Sequence, residues 1–344
     1  MILKLSEFNL IIISIISLFL LYIVIVLLFT IIIHHKYFEK RITENKIIKN
    51  QKEEDYKDLK KESFSFISRN VKLNGNIYYY DTKDNKDVII FSNGFNTVIT
   101  NYLSEISYLS KLGYNVYSYD YEGVGNSEGA KFKGMPQAIN NLEDCIKYVK
   151  SNNNHKKIIL VGHSMGAYAS CNVLNYVTVN KVIAIAPFNN IVDVVNDNII
   201  KKLGRKIFLF PIIYRLYLNI KFKSYASYST FNTLKNTNTK VLVLQGENDK
   251  TVSPNNFIKS MMTNTNGFIN YLLLENKHHF PLMDYDAMNY DLFLKHQVQE
   301  LKLKYKNQIP DEEIKILNEN INYKLKNKLD EGILNEIKKF LSEV

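Results

Sequence analysis

The chain contains no tryptophan and only two cysteines in 344 residues. Cys145 and Cys171 stand 26 positions apart, a spacing that supplies neither a disulfide framework nor a metal-ligand cluster. Both fall in stretches with the pattern of amphipathic helix, where a free thiol packs as a small apolar side chain. The lack of Trp accompanies an abundance of Lys, Asn, Ile and Tyr, and reads as a coding bias without functional content. Internal repeats and a nucleic-acid-binding motif are also missing. The formal net charge is +10, but the basic residues are dispersed apart from a modest cluster after residue 35 and a Lys-rich C-terminal region. A solvated basic surface is the reading, with no nucleic-acid partner. At 46% hydrophobic and 23% charged, the composition is that of an ordinary globular chain.

Charge is absent from one long stretch. Leu10 to Ile33 carries no charged residue, and roughly 20 apolar residues suffice to cross a bilayer. A cleaved signal peptide has a shorter apolar core, about 7–15 residues, and a small-residue cleavage site. Here the run is followed by His34, His35, Lys36, Tyr37 and Phe38 instead. Residues 1–36 are therefore expected to form an uncleaved transmembrane anchor. Lys36, Lys40, Arg41, Lys46 and Lys49 outnumber Lys4 on the other side, which favours a cytoplasmic C-terminal domain after the span. Residues 37–62 contain no Gly or Pro and are dense in charge, as a juxtamembrane helix or solvated linker would be.

From residue 63 to 344 short β-branched and aromatic runs alternate with longer amphipathic ones. Strands are expected at Ser63–Ile67, Ile77–Tyr80, Val88–Ser92, Val116–Tyr119, Ile158–Gly162, Val182–Ala186, Val241–Gln245 and Tyr271–Leu274. Helices are expected at Ile99–Leu112, Met135–Ser151, Gly166–Asn175 and Pro254–Thr263, with two long ones after Pro281. Strands separated by helices imply right-handed crossovers and a mostly parallel central sheet flanked by helices, an α/β fold. Reactive groups then belong at the carboxyl ends of the strands.

Gly162-His163-Ser164-Met165-Gly166 lies between an apolar strand and a helix, the setting in which G-x-S-x-G makes a nucleophile elbow. Ser164 needs a base, and the base needs a carboxylate, in the chain order Ser, acid, His. His278 and His279 follow the last strand, and His279 is preferred because it stands nearer the next helix and precedes Phe280. Asp249 and Glu247 both follow Val241–Gln245; Asp249, deeper in the loop, is preferred, with Asp193 as the alternative acid. Backbone N–H groups of Met165 and of Phe95, in Asn93-Gly94-Phe95, are the candidate oxyanion donors. Tyr119–Gly129 is a Gly-rich loop without P-loop or dinucleotide register, and reads as a structural loop beside the site.

Taken together, NGF at 93–95, DYEGVGNSEG at 120–129, GHSMG at 162–166, GENDKTV at 246–252 and HHF at 278–280 resemble the α/β-hydrolase superfamily, in its serine aminopeptidase-like and monoacylglycerol-lipase-like group. The resemblance implies the α/β-hydrolase fold and ester or amide hydrolysis without metal or organic cofactor. It also implies a cap inserted at about 188–239. The family often has His-Gly where Asn93-Gly94 stands, and Arg where Glu122 stands, which would remove a usual ion pair. Acyl or lipid esters are the expected substrates, given the apolar cap segment and the anchor. A peptidase or amidase of the same fold, and a silent membrane-tethered binding module, remain as alternatives.

Overall fold

The computed structural model describes residues 2–81, 87–152, 157–254 and 266–343. Its centre is one eight-stranded sheet made of β1 (Lys60–Ser68), β2 (Val71–Tyr79), β3 (Val88–Ser92), β4 (Asn115–Tyr119), β5 (Ile158–His163), β6 (Lys181–Ile185), β7 (Lys240–Gly246) and β8 (Ile269–Leu274). The spatial order is β1-β2-β4-β3-β5-β6-β7-β8. β1, β2 and β4 pair antiparallel, and all pairings from β4 through β3 to β8 are parallel. β3, β4, β5 and β6 are buried along their whole length, as their unbroken apolar runs demand of strands covered on both faces. β1, at the edge, alternates instead, burying Phe64, Phe66 and Ser68.

Chain direction reverses about β3. The chain passes from β3 to β4 on one side and later returns to β5 on the other, so the crevice where a site belongs opens at the carboxyl ends of β3 and β5. α3 (Gln137–Asn152) and α4 (Met165–Asn172) cover one face, together with α5 (Ile191–Leu203), α6 (Phe210–Phe222) and α7 (Thr230–Asn236), which lie between β6 and β7. α2 (Leu103–Lys111) lies on the other face. The expected helix at Pro254–Thr263 falls almost wholly outside the described residues.

The chain after Pro281 departs from the expected pair of long helices. It forms α8 (Tyr285–Lys304), α9 (Asp311–Glu319), the single turn α10 (Tyr323–Lys326) and α11 (Glu331–Ser342). Lys306 and Asn307 take positive φ and end α8, while the side chains of Asn322 and Asp330 cap the starts of α10 and α11. α11 then buries Ile333, Ile337, Phe340 and Leu341 beside α2, completing the second face of the sheet.

α1 (Ile2–Tyr37) stands clear of the body from Phe8 to Leu21 and packs along it from Tyr22 onward, where Val26, Thr30 and His34 are buried at four-residue spacing. Residues 38–59 hold one short 3-10 turn, Glu53–Asp55, and otherwise run as irregular chain against the body. They form a strap that buries Phe38 and Ile42 and exchanges backbone hydrogen bonds with the Gly-rich loop, Ile42 N to Gly123 O at 3.0 Å and Gly125 N to Ile42 O at 2.8 Å. The Arg41 guanidinium donates to three carbonyls of that loop, those of Gly125, Ser127 and Gly129. Phe38 and Ile42 gain from burial, and Glu39 and Arg41 between them are not left unpaired, since Glu39 meets Lys131 and Lys221 and Arg41 meets the loop carbonyls.

Candidate active site

β5 ends at His163, and α4 begins at Met165, which leaves Ser164 alone in the turn between them. Its backbone is at φ 53°, ψ −113°, a conformation that a residue with a Cβ avoids. The glycines make the turn possible. A Cβ on Gly166 would come within 2.0 Å of Ser92 O, and one on Gly162 within 2.4 Å of the Gly166 carbonyl carbon. α4 is thereby pressed against the end of β3, so that Met165 and Gly166 adjoin the Asn93–Phe95 loop.

The loops after β7 and β8 deliver the other side chains. His279 Nε2 lies 3.0 Å from Ser164 Oγ, and His279 Nδ1 lies 2.7 Å from Asp249 Oδ2. Asp249 is buried, and its carboxylate also accepts from the N–H groups of Thr251 and Val252 and from the Gln245 amide. Burial alone would raise its pKa, but the bonds from His279 and the two amides outweigh it and hold the carboxyl below its usual value. The carboxylate only accepts, so Nδ1 carries the proton and Nε2 is left facing Ser164.

His278 points away, exposed, with Nδ1 3.2 Å from Asn248 O. Glu247 is exposed in the turn. Asp193 is exposed at the start of α5, where it bonds with Asn190 and does not join the cluster. Phe95 is half-buried on the loop after β3, between Phe38 at 5.2 Å and Phe132 at 5.7 Å between ring centres.

Three side chains that the sequence did not single out brace this arrangement. His163 Nε2 is 2.8 Å from His279 O, so Nε2 carries the hydrogen and Nδ1 accepts. The Tyr102 hydroxyl, 2.9 Å from that Nδ1, donates to it and accepts from Gly94 N at 3.0 Å. Burial and the neighbouring His279 push the His163 pKa down to about 3, which keeps it neutral and in this tautomer. Tyr121 adds a hydroxyl bond to Asn93 O at 3.0 Å.

The Gly-rich loop is built around Asp120, whose carboxylate accepts from Ile99 N and Asn126 N; burial raises its pKa to about 6. Glu122, where the family often has Arg, pairs instead with Lys133 at 2.5 Å. Among the described residues, no group of three or more His, Cys, Asp or Glu is placed to hold a metal ion.

Residues 83–233 match the family described as serine aminopeptidase, S33. That span contains Phe95, Ser164 and Met165 and stops short of Asp249 and His279. No curated protein matches the chain in sequence. Among solved structures, an esterase of Pyrococcus furiosus superposes with a TM-score of 0.56 at 17% identity, covering 77% of this chain and 98% of the esterase. A second crystal form of that esterase gives 0.54 at 20% identity, covering 77% and 97%. At such identities these superpositions speak for the fold. With the strand order, they show the α/β-hydrolase fold, and residues 83–233 are similar to the S33 serine aminopeptidases.

Proposed function

We propose that this protein is a membrane-anchored serine hydrolase that cleaves acyl esters through an acyl-enzyme. The observation that carries the reading is the unbroken line from Ser164 Oγ through His279 to Asp249, with contacts of 3.0 and 2.7 Å. His279 Nε2 takes the Ser164 proton as Oγ attacks the ester carbonyl. The N–H groups of Phe95 and Met165 hold the oxyanion of the tetrahedral intermediate. Collapse expels the alcohol, which receives the proton from His279. Water then attacks the acyl-Ser164 ester with His279 again as base. Asp249, anionic at neutral pH, fixes the tautomer and stabilises the imidazolium.

An acyl substrate is supported by the apolar cap and by the short path from anchor to site, since Phe38, one residue beyond α1, touches Phe95. Anchoring is supported by the outward-facing apolar side chains of Leu10 to Leu21. The excess of Lys and Arg after the helix supports a cytoplasmic body.

An amidase or aminopeptidase reading has its own support. Asp193 and Asp197 line a crevice with Phe188, Thr251 and Val252, beside the loop of Asp249, where a substrate ammonium could be held. Comparing acyl esters with aminoacyl arylamides separates the two readings.

The direct test is fluorophosphonate labelling of the purified full chain. Wild type and His278→Ala should label, and Ser164→Ala and His279→Ala should not. A folded wild type that stays unlabelled would sink the catalytic reading and leave a binding module. Ester turnover no faster than that of Ser164→Ala would remove the acyl-ester substrate alone.

A further inference from the structure

α6 carries apolar side chains on two opposite sides. Phe210, Tyr214, Leu218 and Phe222 are buried at four-residue spacing. Ile212, Leu216 and Ile220 repeat at the same spacing and are 59, 58 and 84% exposed; Phe208, just ahead of the helix, is 72% exposed. A continuous apolar row of this kind marks a surface made to be covered.

The buried side shows what lies next to it. The Tyr22 hydroxyl donates to Phe208 O at 2.7 Å, the Phe29 ring meets Phe210 at 5.8 Å, and His34 Nδ1 is 3.3 Å from the Tyr214 hydroxyl. These contacts advance in the same direction along both segments, so α6 runs beside the last third of α1 with Phe208 at the level of Tyr22.

Length then decides the partner. The uncharged part of α1 that stands clear of the body, Phe8 to Leu21, has 14 residues. At 1.5 Å per residue it is about 21 Å long, whereas the hydrocarbon core is about 30 Å thick. The missing ~9 Å, about six residues, must come from Tyr22 to Leu27, the stretch whose Tyr22 bonds the Phe208 carbonyl. Tilting the helix increases the shortfall.

The chain leading to Phe208 fits the same depth order. The Lys202 ammonium sits over the Tyr37 ring at 4.6 Å, at the end of α1, and from there exposed Arg205 and Lys206 lead down to Phe208. Basic side chains above an apolar tip suit phosphate headgroups above acyl chains.

We infer that the cap segment from Leu203 to Ile220 is itself embedded in the bilayer beside α1, with Phe208 and Ile212 among the acyl chains and Arg205 and Lys206 at the headgroups. The inference rests on α1 being a membrane span.

The absence of Trp makes the test free of background. Single variants Leu21→Trp, Phe208→Trp, Ile212→Trp and Leu303→Trp of the full chain are reconstituted in phosphatidylcholine vesicles with or without brominated acyl chains, and tryptophan emission is read. Leu21 reports the span, and Leu303, exposed on α8, reports the aqueous side. Leu21→Trp, Phe208→Trp and Ile212→Trp should lose most of their emission in brominated lipid, and Leu303→Trp should keep it. Quenching at Leu21 without quenching at Phe208 and Ile212 overturns the embedded cap and leaves the anchor standing. A blue-shifted but unquenched signal at both cap positions also overturns it, and indicates cover by a second copy of the chain. No quenching at Leu21 removes the span and the inference together.

Discussion

Tyr102 ties together two parts of the site that chemistry requires to stay in register. Its hydroxyl holds Gly94, on the loop after β3, and through His163 it holds the backbone of His279. A Cβ on Gly94 would come within 2.7 Å of that hydroxyl and would displace it. Tyr102→Phe leaves the ring packing and strands a buried N–H, at a cost of about 1–3 kcal/mol. We expect Tyr102→Phe to lower the midpoint of thermal unfolding and to reduce kcat about tenfold, the equivalent of 1.4 kcal/mol, with little change in KM. Wild-type steady-state kinetics in this variant would show that the hydroxyl does not position the site. Ser164, Asp249 and His279 could be singled out because each follows a strand, in the chain order usual for this fold, and the three side chains do meet in space. Tyr102 could not, because a Tyr at the start of an amphipathic helix looks like core, and only the packing of α2 under the elbow gives its hydroxyl two partners.

The strap is the element that most departed from its sequence. Residues 37–62 looked like a solvated linker because charge dominates them, yet two apolar side chains and backbone pairing fix their course. Arg41 is the clearest case, reaching carbonyls that lie more than 80 positions away. No local pattern could announce that. Strand ends were misjudged for a similar reason. β2 begins at Val71, six residues before its apolar signal, because it pairs with β1 along nine residues whatever side chains they carry. By contrast β3, β5, β6 and β7 were legible, being buried apolar runs between turn residues. Arg41→Ala should cost about 1–2 kcal/mol in thermal unfolding. Arg41→Lys should recover little of it, since an ammonium cannot span three carbonyls in a plane. Full stability in Arg41→Ala would mean that the backbone pairing alone holds the strap.

Across the whole molecule, Glu39 joins the anchor, the strap, the loop after the Gly-rich turn and the cap. Its carboxylate meets Lys131 at 2.5 Å, His35 at 3.1 Å and Lys221. Burial would raise its pKa, but the two lysines prevail and hold it at about 2, below the usual 4.5. A carboxyl depressed on folding stabilises the fold fully above its unfolded value and loses that contribution as pH falls toward the folded one. Glu39→Gln in detergent should therefore unfold more easily than wild type at pH 7, by about 2 kcal/mol. The gap should close between about pH 4.5 and 2. A gap that does not change with pH would trace the loss to packing.

The strap carries a further consequence for where the proposed activity can take place. Many anchored proteins are tethered by a stalk that a protease can sever, setting a working domain adrift. Here the stretch just past α1 lies against the loop that carries Phe95, and α1 covers the inner side of α6. Cutting between Tyr37 and Ile42 would take Phe38 from beside Phe95 and bare the apolar inner side of α6. On the proposed reading of α1 as a membrane span, such a cut would not set an intact body free in solution.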